Sequence, residues 1–321
     1  MAKEVIAPSR FRRSPFSTLP TVANGTNSRV SRLAIEPPVY HPRLHGGIEL
    51  TALGTREDLE FARRIATHQE FFDDPQDTTL HMKGIRYVSY LLSDTAWPRR
   101  ILDLGAGISF PLTVAFEEKL FDEAWGIEIN PRAVTRGKQI ASLANVFRPS
   151  RYHNEYRDIM DGTLLDQTAN YKPSAIVANL PYLPEDPGSP DPTKDGGTDG
   201  LKYISQQLKL AQHSQALVVG TNFSSVTTPS ELLPMFQQYG YLPHKAFVYT
   251  APFGPRTSDL LDKGVLQKEF GHEYFSQSDV PLQLMINLIC VREDFEYPGL
   301  NISALQDMIE TFSSTKELVF S

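Results

Sequence analysis

From Arg99 onward the chain alternates short, continuously apolar runs with segments of helical length. The runs are RRILDL, AWGIEI, SAIVAN, ALVVGTNF, KAFVYTAPF and QLMINLICV, with RYHNEY near 151–156 as a weaker member. Between most of them lie stretches long enough for a helix: 109–120, 131–144, 200–212 and 228–239. A strand apolar on both faces must be covered on both, and strands separated by helices pair in parallel. The pattern predicts an α/β fold over 99–295: a seven-stranded, mostly parallel sheet with helices on both faces. The last two strands lack an obvious intervening helix, so the final one is expected to run antiparallel, with 254–281 inserted between them.

The flanks read differently. Residues 1–50 form an irregular extension, of which residues 1–43 carry seven Lys or Arg against Glu4 and Glu36, a charge of +5 that leaves −12 on the remainder. The acidic body makes a broad nucleic-acid-binding surface unlikely. Pro8, Pro15 and Pro20 oppose the amphipathic helix of an organelle import signal, so a cytoplasmic location is expected, with import by the basic tail as a minor alternative. Helical periodicity over 55–69 and 80–92 makes 51–98 a small helical lead-in, a candidate for substrate recognition. A surface helix at 303–312 is expected within the closing segment 296–321. No apolar run approaches the roughly 20 residues that cross a bilayer, and no leader is read. The single cysteine, Cys290, lies in an apolar run and reads as a buried small hydrophobe. The glycosylation patterns at Asn24, Asn222 and Asn301 are read as chance. His41 and His45 beside glycines read as loop residues, and no metal site is expected.

Chemistry is expected at the carboxyl ends of the strands, where open parallel sheets bind ligands. The first strand runs into Asp103-Leu104-Gly105-Ala106-Gly107-Ile108-Ser109-Phe110. The glycines allow a sharp turn and close approach of a ligand to the backbone. A dinucleotide site wants a third glycine where Phe110 stands, while Asp103 suits a ligand bearing an ammonium group. The second strand ends in Glu128, placed to accept both hydroxyls of an adenosine ribose, and the third leads to Asp158, placed to accept from an adenine amino group. Three acidic strand ends on one rim imply S-adenosylmethionine (SAM). The plainer role for Glu128 and Asp158 is a helix cap or a solvated turn.

The fourth strand breaks from AIVA into Asn179-Leu180-Pro181-Tyr182. Methyl transfer to a nitrogen is an in-line displacement helped mainly by positioning. The Asn179 side-chain oxygen and the Leu180 carbonyl can each accept an N–H of the acceptor, Pro181 fixes the backbone, and Tyr182 offers a stacking face. A mere turn would account for Asn and Pro, but not for their place at the end of this strand.

With these motifs the chain resembles the class I SAM-dependent methyltransferases, a Rossmann-like family, and most of all the glutamine amide N-methyltransferases that modify translation release factors. The likeness covers about residues 71–292. It is carried by Asp103–Ser109, Gly126-Ile-Glu-Ile-Asn-Pro131, Asp158-Ile-Met-Asp161, Ile176–Pro184 and the hexapeptide Gly196-Gly-Thr-Asp-Gly-Leu201. The resemblance implies a cosubstrate site of Asp103, Gly105, Ala106, Gly107, Glu128, Ile129, Asp158 and Asn179. It further implies catalytic roles for Asn179, Pro181 and Tyr182, with Asn179, Leu180 and Tyr182 contacting the acceptor. Thr198 or Asp199 is expected to cap the next helix, and the loop 184–197 to serve as a lid. The sequence departs from the family with Leu180 in place of a proline, Pro75-Gln76-Asp77 in place of Pro-Arg, and Asn222 where a glutamate is usual. The expected acceptor is therefore protein glutamine or a small amino or amide compound such as an amino-acid-like metabolite. Adenine dimethylases of ribosomal RNA share Asn-Leu-Pro-Tyr but carry an RNA-binding domain after the sheet, for which only about thirty residues remain. A non-catalytic SAM-fold subunit is the alternative outside enzymes.

Overall fold

Each apolar run becomes a strand of one sheet. The structure is a computed structural model that describes residues 48–50, 56–66, 75–93, 95–146, 150–191, 193–267, 273–277 and 280–295. The basic extension and the segment 303–312 lie outside them, as do His41, His45, Asn24 and Asn301. Strands β1 (Ile48–Leu50), β2 (Arg100–Leu104), β3 (Glu123–Glu128), β4 (Tyr152–Tyr156), β5 (Ala175–Ala178), β6 (Val218–Ser224), β7 (Tyr241–Pro252), β8 (Phe275–Gln277) and β9 (Val280–Arg292) form it. Their order is β1-β7-β9-β6-β5-β2-β3-β4, with β8 paired to β9. Neighbours run parallel except around β9, which is antiparallel to β6, β7 and β8. The seven expected strands and the antiparallel last one are present, giving the Rossmann-like fold.

The direction of the strand order reverses between β2 and β5, which pair in parallel with Leu104 opposite Ala178. The Asp103–Gly107 turn and the Asn179–Tyr182 break therefore emerge side by side, at the reversal point where α/β sheets open a crevice.

Eight helices are described: α1 (Arg56–Ala66), α2 (Pro75–Ser93), α3 (Phe110–Glu117), α4 (Pro131–Leu143), α5 (Leu164–Tyr171), α6 (Lys202–Ser214), α7 (Pro229–Gln238) and α8 (Pro255–Asp262). Asn130 caps α4, its side-chain oxygen accepting from the backbone N–H of Arg132 at 3.0 Å. On one face of the sheet Leu102, Leu104, Ile176, Ala178 and Val219 pack with Ile204, Leu208 and Ala211 of α6. Each such buried aliphatic side chain contributes about 1.5–3 kcal/mol. Cys290 is buried in β9, and burial holds its thiol well above the ordinary range.

Several expectations are corrected. Residues 48–50 are a strand, so the irregular segment does not run to 50. The insertion 254–281 contains α8 and β8, and α5 lies outside the helix-length stretches named from the sequence. Helix α2 starts at Pro75 rather than near 80: proline lacks an N–H that the first helical turn leaves unused anyway. That added turn brings Asp77 onto the sheet, where Asn222 donates to its Oδ1 at 2.8 Å and its carbonyl at 3.0 Å. Asn287, opposite Asn222 on β9, donates to the Asn222 side chain at 2.5 Å. Asn222 is thus buried and committed, which removes it as a glycosylation site.

Gly84 lets α2 lie this close, because a Cβ there would overlap the Asn287 carboxamide. Gly84→Ala is expected to destabilise the protein by about 1–3 kcal/mol, read as a lower midpoint in denaturant unfolding. An unchanged midpoint would show that α2 can shift at no cost.

Candidate active site

The turn after β2 is built on two residues in the left-handed region, Gly105 (φ 69°) and Gly107 (φ 55°), which favours glycine. A Cβ on Gly105 would come within 2.8 Å of the Leu180 side chain, so this glycine lets the two strand ends touch. A Cβ on Gly107 would meet nothing within 4 Å, so the backbone there borders open space. Ala106 between them donates its N–H to Ile127 of β3 at 2.9 Å. Phe110, in the place of a third glycine, is buried against Phe61 of α1 with ring centroids 5.4 Å apart. Its bulk serves the contact with α1.

The three acids have different surroundings. Asp103 is buried, and its Oδ1 lies 3.1 Å from Nε2 of His81 on α2. Its Oδ2 is buried without a partner, as is Nδ1 of His81. Glu128 accepts the Gly107 N–H at 2.8 Å and the Asn130 N–H at 2.7 Å, one on each oxygen. Burial raises its pKa above the usual glutamate value; the backbone N–H groups pull it back, and the charge of Asp103 adds to the rise. A raised carboxyl pKa costs stability at neutral pH, a pattern typical of functional positions. A carboxylate has about four lone-pair positions, so Glu128 keeps capacity for further donors. Ile129 beside it is 60% exposed, an apolar side chain left at the rim. Asp158 is exposed and accepts the Met160 N–H at 2.8 Å, fixing a turn.

Asn179 is half-buried, and its carboxamide has no hydrogen bond among the described residues. Leu180 is buried against the Gly105 turn. Tyr182 is half-buried, its hydroxyl 3.4 Å from Oδ2 of Asp77. Its carbonyl accepts from the Thr227 hydroxyl at 2.9 Å. The hexapeptide Gly196–Leu201 packs directly on this segment. A Cβ on Gly196 would lie 2.6 Å from the Pro181 carbonyl oxygen, and one on Gly200 (φ 77°) would overlap the Tyr182 carbonyl. The motif is a backbone buttress for Asn179–Tyr182. Helix capping is not its role: α6 has no side-chain cap, and Asp199 instead accepts the N–H of Leu201 at 2.9 Å, holding the turn before the helix.

The loop 184–197 is folded back and fastened. Leu183 donates to the Lys194 carbonyl at 3.0 Å, and Gly196 donates to the Leu183 carbonyl at 2.7 Å. Arg256 of α8 grips Asp195 with two nitrogens, at 3.1 and 2.5 Å, and donates to the Ser189 carbonyl at 2.9 Å. Lys263 pairs with Asp186 at 2.9 Å. The insertion after β7 is thus the mount of the loop beside the site.

Two residues of the site carry no motif, Asp77 and His81. They stand one helical turn apart, which places both on one face of a helix. Nothing in the sequence says that this face meets Asp103 and Asn222. A cavity of about 470 Å3 opens elsewhere, beside the outer strand β4, lined by Trp125, Tyr152 and Asn154 among others. Among the described residues no cluster of three or more potential metal ligands occurs, and no helix is long and apolar enough to cross a membrane.

No family model matches the sequence, and no curated protein does. Solved structures resemble it distantly. A protein of Pyrococcus horikoshii described as a candidate RNA methyltransferase is 14% identical over 74% of this chain and 98% of its own, with a TM-score of 0.44. The ribosomal protein L11 methylase of Lactobacillus delbrueckii subsp. bulgaricus is 13% identical over 70% and 81%, with a TM-score of 0.39. TYW2 of M. jannaschii, in complex with AdoMet, is 11% identical over 66% and 76%, with a TM-score of 0.39.

Gly200→Ala is expected to cost about 1–3 kcal/mol in unfolding and to move the Tyr182 carbonyl, because the added methyl meets strain and overlap together. A wild-type melting profile would refute the buttress. Arg256→Ala is expected to raise amide exchange in 184–197 about tenfold or more while leaving β2–β5 protected. The Lys263 hydrogen bond, then the Gly188 N–H, hold Asp186 below the ordinary aspartate pKa of 3.8. Its contribution to the clamp is therefore full above that value and lost only as pH falls through the lower folded value. Loop exchange that loosens already near neutral pH would contradict this.

Proposed function

We propose that the chain is a SAM-dependent N-methyltransferase acting on an amide or amino nitrogen, with protein glutamine or a small amino-acid-like compound as acceptor. The observation that carries this reading is the unpaired Asn179 carboxamide at the end of β5, beside the glycine turn of β2.

The residues fit the cosubstrate. Asp103 has a buried carboxylate oxygen without a partner, suited to an ammonium group. Gly107 borders open space, and Glu128 retains lone pairs for ribose hydroxyls while Ile129 offers an apolar rim. Asp158 has one oxygen spent on its own turn, which leaves the other for an amino group. Bound SAM supplies an electrophilic methyl on a sulfonium centre. The protein then has to position a nitrogen. Asn179 Oδ1 and the Leu180 carbonyl accept its N–H groups and favour the more pyramidal nitrogen as positive charge develops. Pro181 and the glycine buttress hold the two acceptors in place, and Tyr182 presents a ring face to a planar acceptor. No strong base is required, because the proton becomes acidic only as the nitrogen is alkylated.

The acidic body disfavours a phosphate-rich acceptor, since nucleic-acid binding draws on many Lys and Arg contacts. Wild-type protein given labelled SAM should transfer label to a release-factor glutamine or to a small amino compound. Asn179→Ala should lower kcat by about 10²–10³ while SAM affinity stays within about twofold. Unchanged turnover in that variant would overturn the acceptor site. A wild-type protein that binds no SAM would instead indicate a non-catalytic subunit.

A further inference from the structure

Beyond the strand-end motifs, one buried polar group on the helical layer calls for an explanation. His81 and Asp103 are 3% and 1% exposed, and their contact joins α2 to the end of β2. A carboxylate can only accept, so Nε2 of His81 carries the proton between them. The pair is incomplete: Oδ2 of Asp103 and Nδ1 of His81 are both buried without a partner. An unpaired buried carboxylate oxygen is costly, and a core tie between a helix and a strand would be built at lower cost without a charge.

The helix is also held in place on both sides of His81. Four residues earlier Asp77 accepts from Asn222, and three residues later Gly84 abuts Asn287. The imidazole is thus delivered to Asp103 by a helix with little freedom to slide. One oxygen of the carboxylate is taken by the imidazole, which leaves the other, at the end of β2, without a protein partner.

We infer that His81 is a positioning residue for the amino-acid end of the cosubstrate: it fixes the Asp103 carboxylate so that the second oxygen receives the ligand's ammonium group. This rests on the reading of the site as a SAM site and adds to it a residue from outside the sheet. It separates the ligand into two parts with different dependence on His81. Adenosine contacts at Glu128 and Asp158 do not involve α2, whereas the ammonium contact does.

The test is titration of the full chain with two ligands by calorimetry. S-adenosylhomocysteine carries the ammonium group; methylthioadenosine shares the thioether and the nucleoside but lacks the amino-acid end. In His81→Ala the affinity for S-adenosylhomocysteine should fall about tenfold or more, with that for methylthioadenosine within about twofold of wild type. His81→Gln, whose amide N–H can donate to Asp103, should recover part of the loss. Should the alanine variant not fold, His81→Leu fills the space without a donor and gives the same comparison. Equal losses for both ligands would make His81 a structural tie only, and an unchanged affinity for S-adenosylhomocysteine in a folded variant would also overturn the inference. Wild-type protein that binds neither ligand would sink the SAM reading itself, and the inference with it.

Discussion

The parallel pairing of β2 with β5 is the constraint on which the site depends. Because Leu104 stands opposite Ala178, two chain breaks that are 74 positions apart leave the sheet at the same height. Everything nearby serves that adjacency. Gly105 lacks a side chain so that Leu180 can press against the turn, and Gly196 and Gly200 lack one so that a second backbone can lie on Pro181 and Tyr182. An amide side chain at the rim is then supported from two sides by main chain, which has far fewer conformations than side chains do.

Much of this was legible in the sequence, because continuous apolar runs have a single cheap solution, burial in a covered parallel sheet. The glycine turn and the Asn179 break were legible for a related reason: they are residue types that a strand end does not otherwise need. What escaped detection was set by tertiary contact. Helix α5 reads LLDQTANY, too short and polar to show a period, and α8 is held by ion pairs that Arg256 and Lys263 make with a loop some sixty or more residues away. The early start of α2 was hidden by Pro75, which reads as a breaker unless it stands in a first turn. The link between His81 and Asp103 could not be read at all, since it follows from the angle at which α2 crosses the sheet.

The departures from the glutamine amide methyltransferases also acquire physical content. Pro75-Gln76-Asp77 stands where the resemblance implies a Pro-Arg pair and Asn222 where it implies a glutamate, and here Asn222 donates to Asp77. This amide-to-carboxylate pair ties α2 to β6 beside Tyr182. Leu180, in place of a ring, trades backbone stiffness for an apolar contact with Gly105. Both changes sit next to Asn179–Tyr182, where the proposed acceptor would bind.

The position of β9 has a consequence for how the chain assembles. It is the last of the described strands in sequence, yet it lies between β6 and β7 and is hydrogen-bonded to both along most of its length. During synthesis β2 to β6 can pair as soon as they emerge, whereas β7 has only the three-residue β1 to pair with until β9 has been made. The nascent chain therefore passes through a stage in which the β2–β6 half of the sheet is formed and β6 presents a bare edge, the kind of surface that chaperones cover and aggregates exploit.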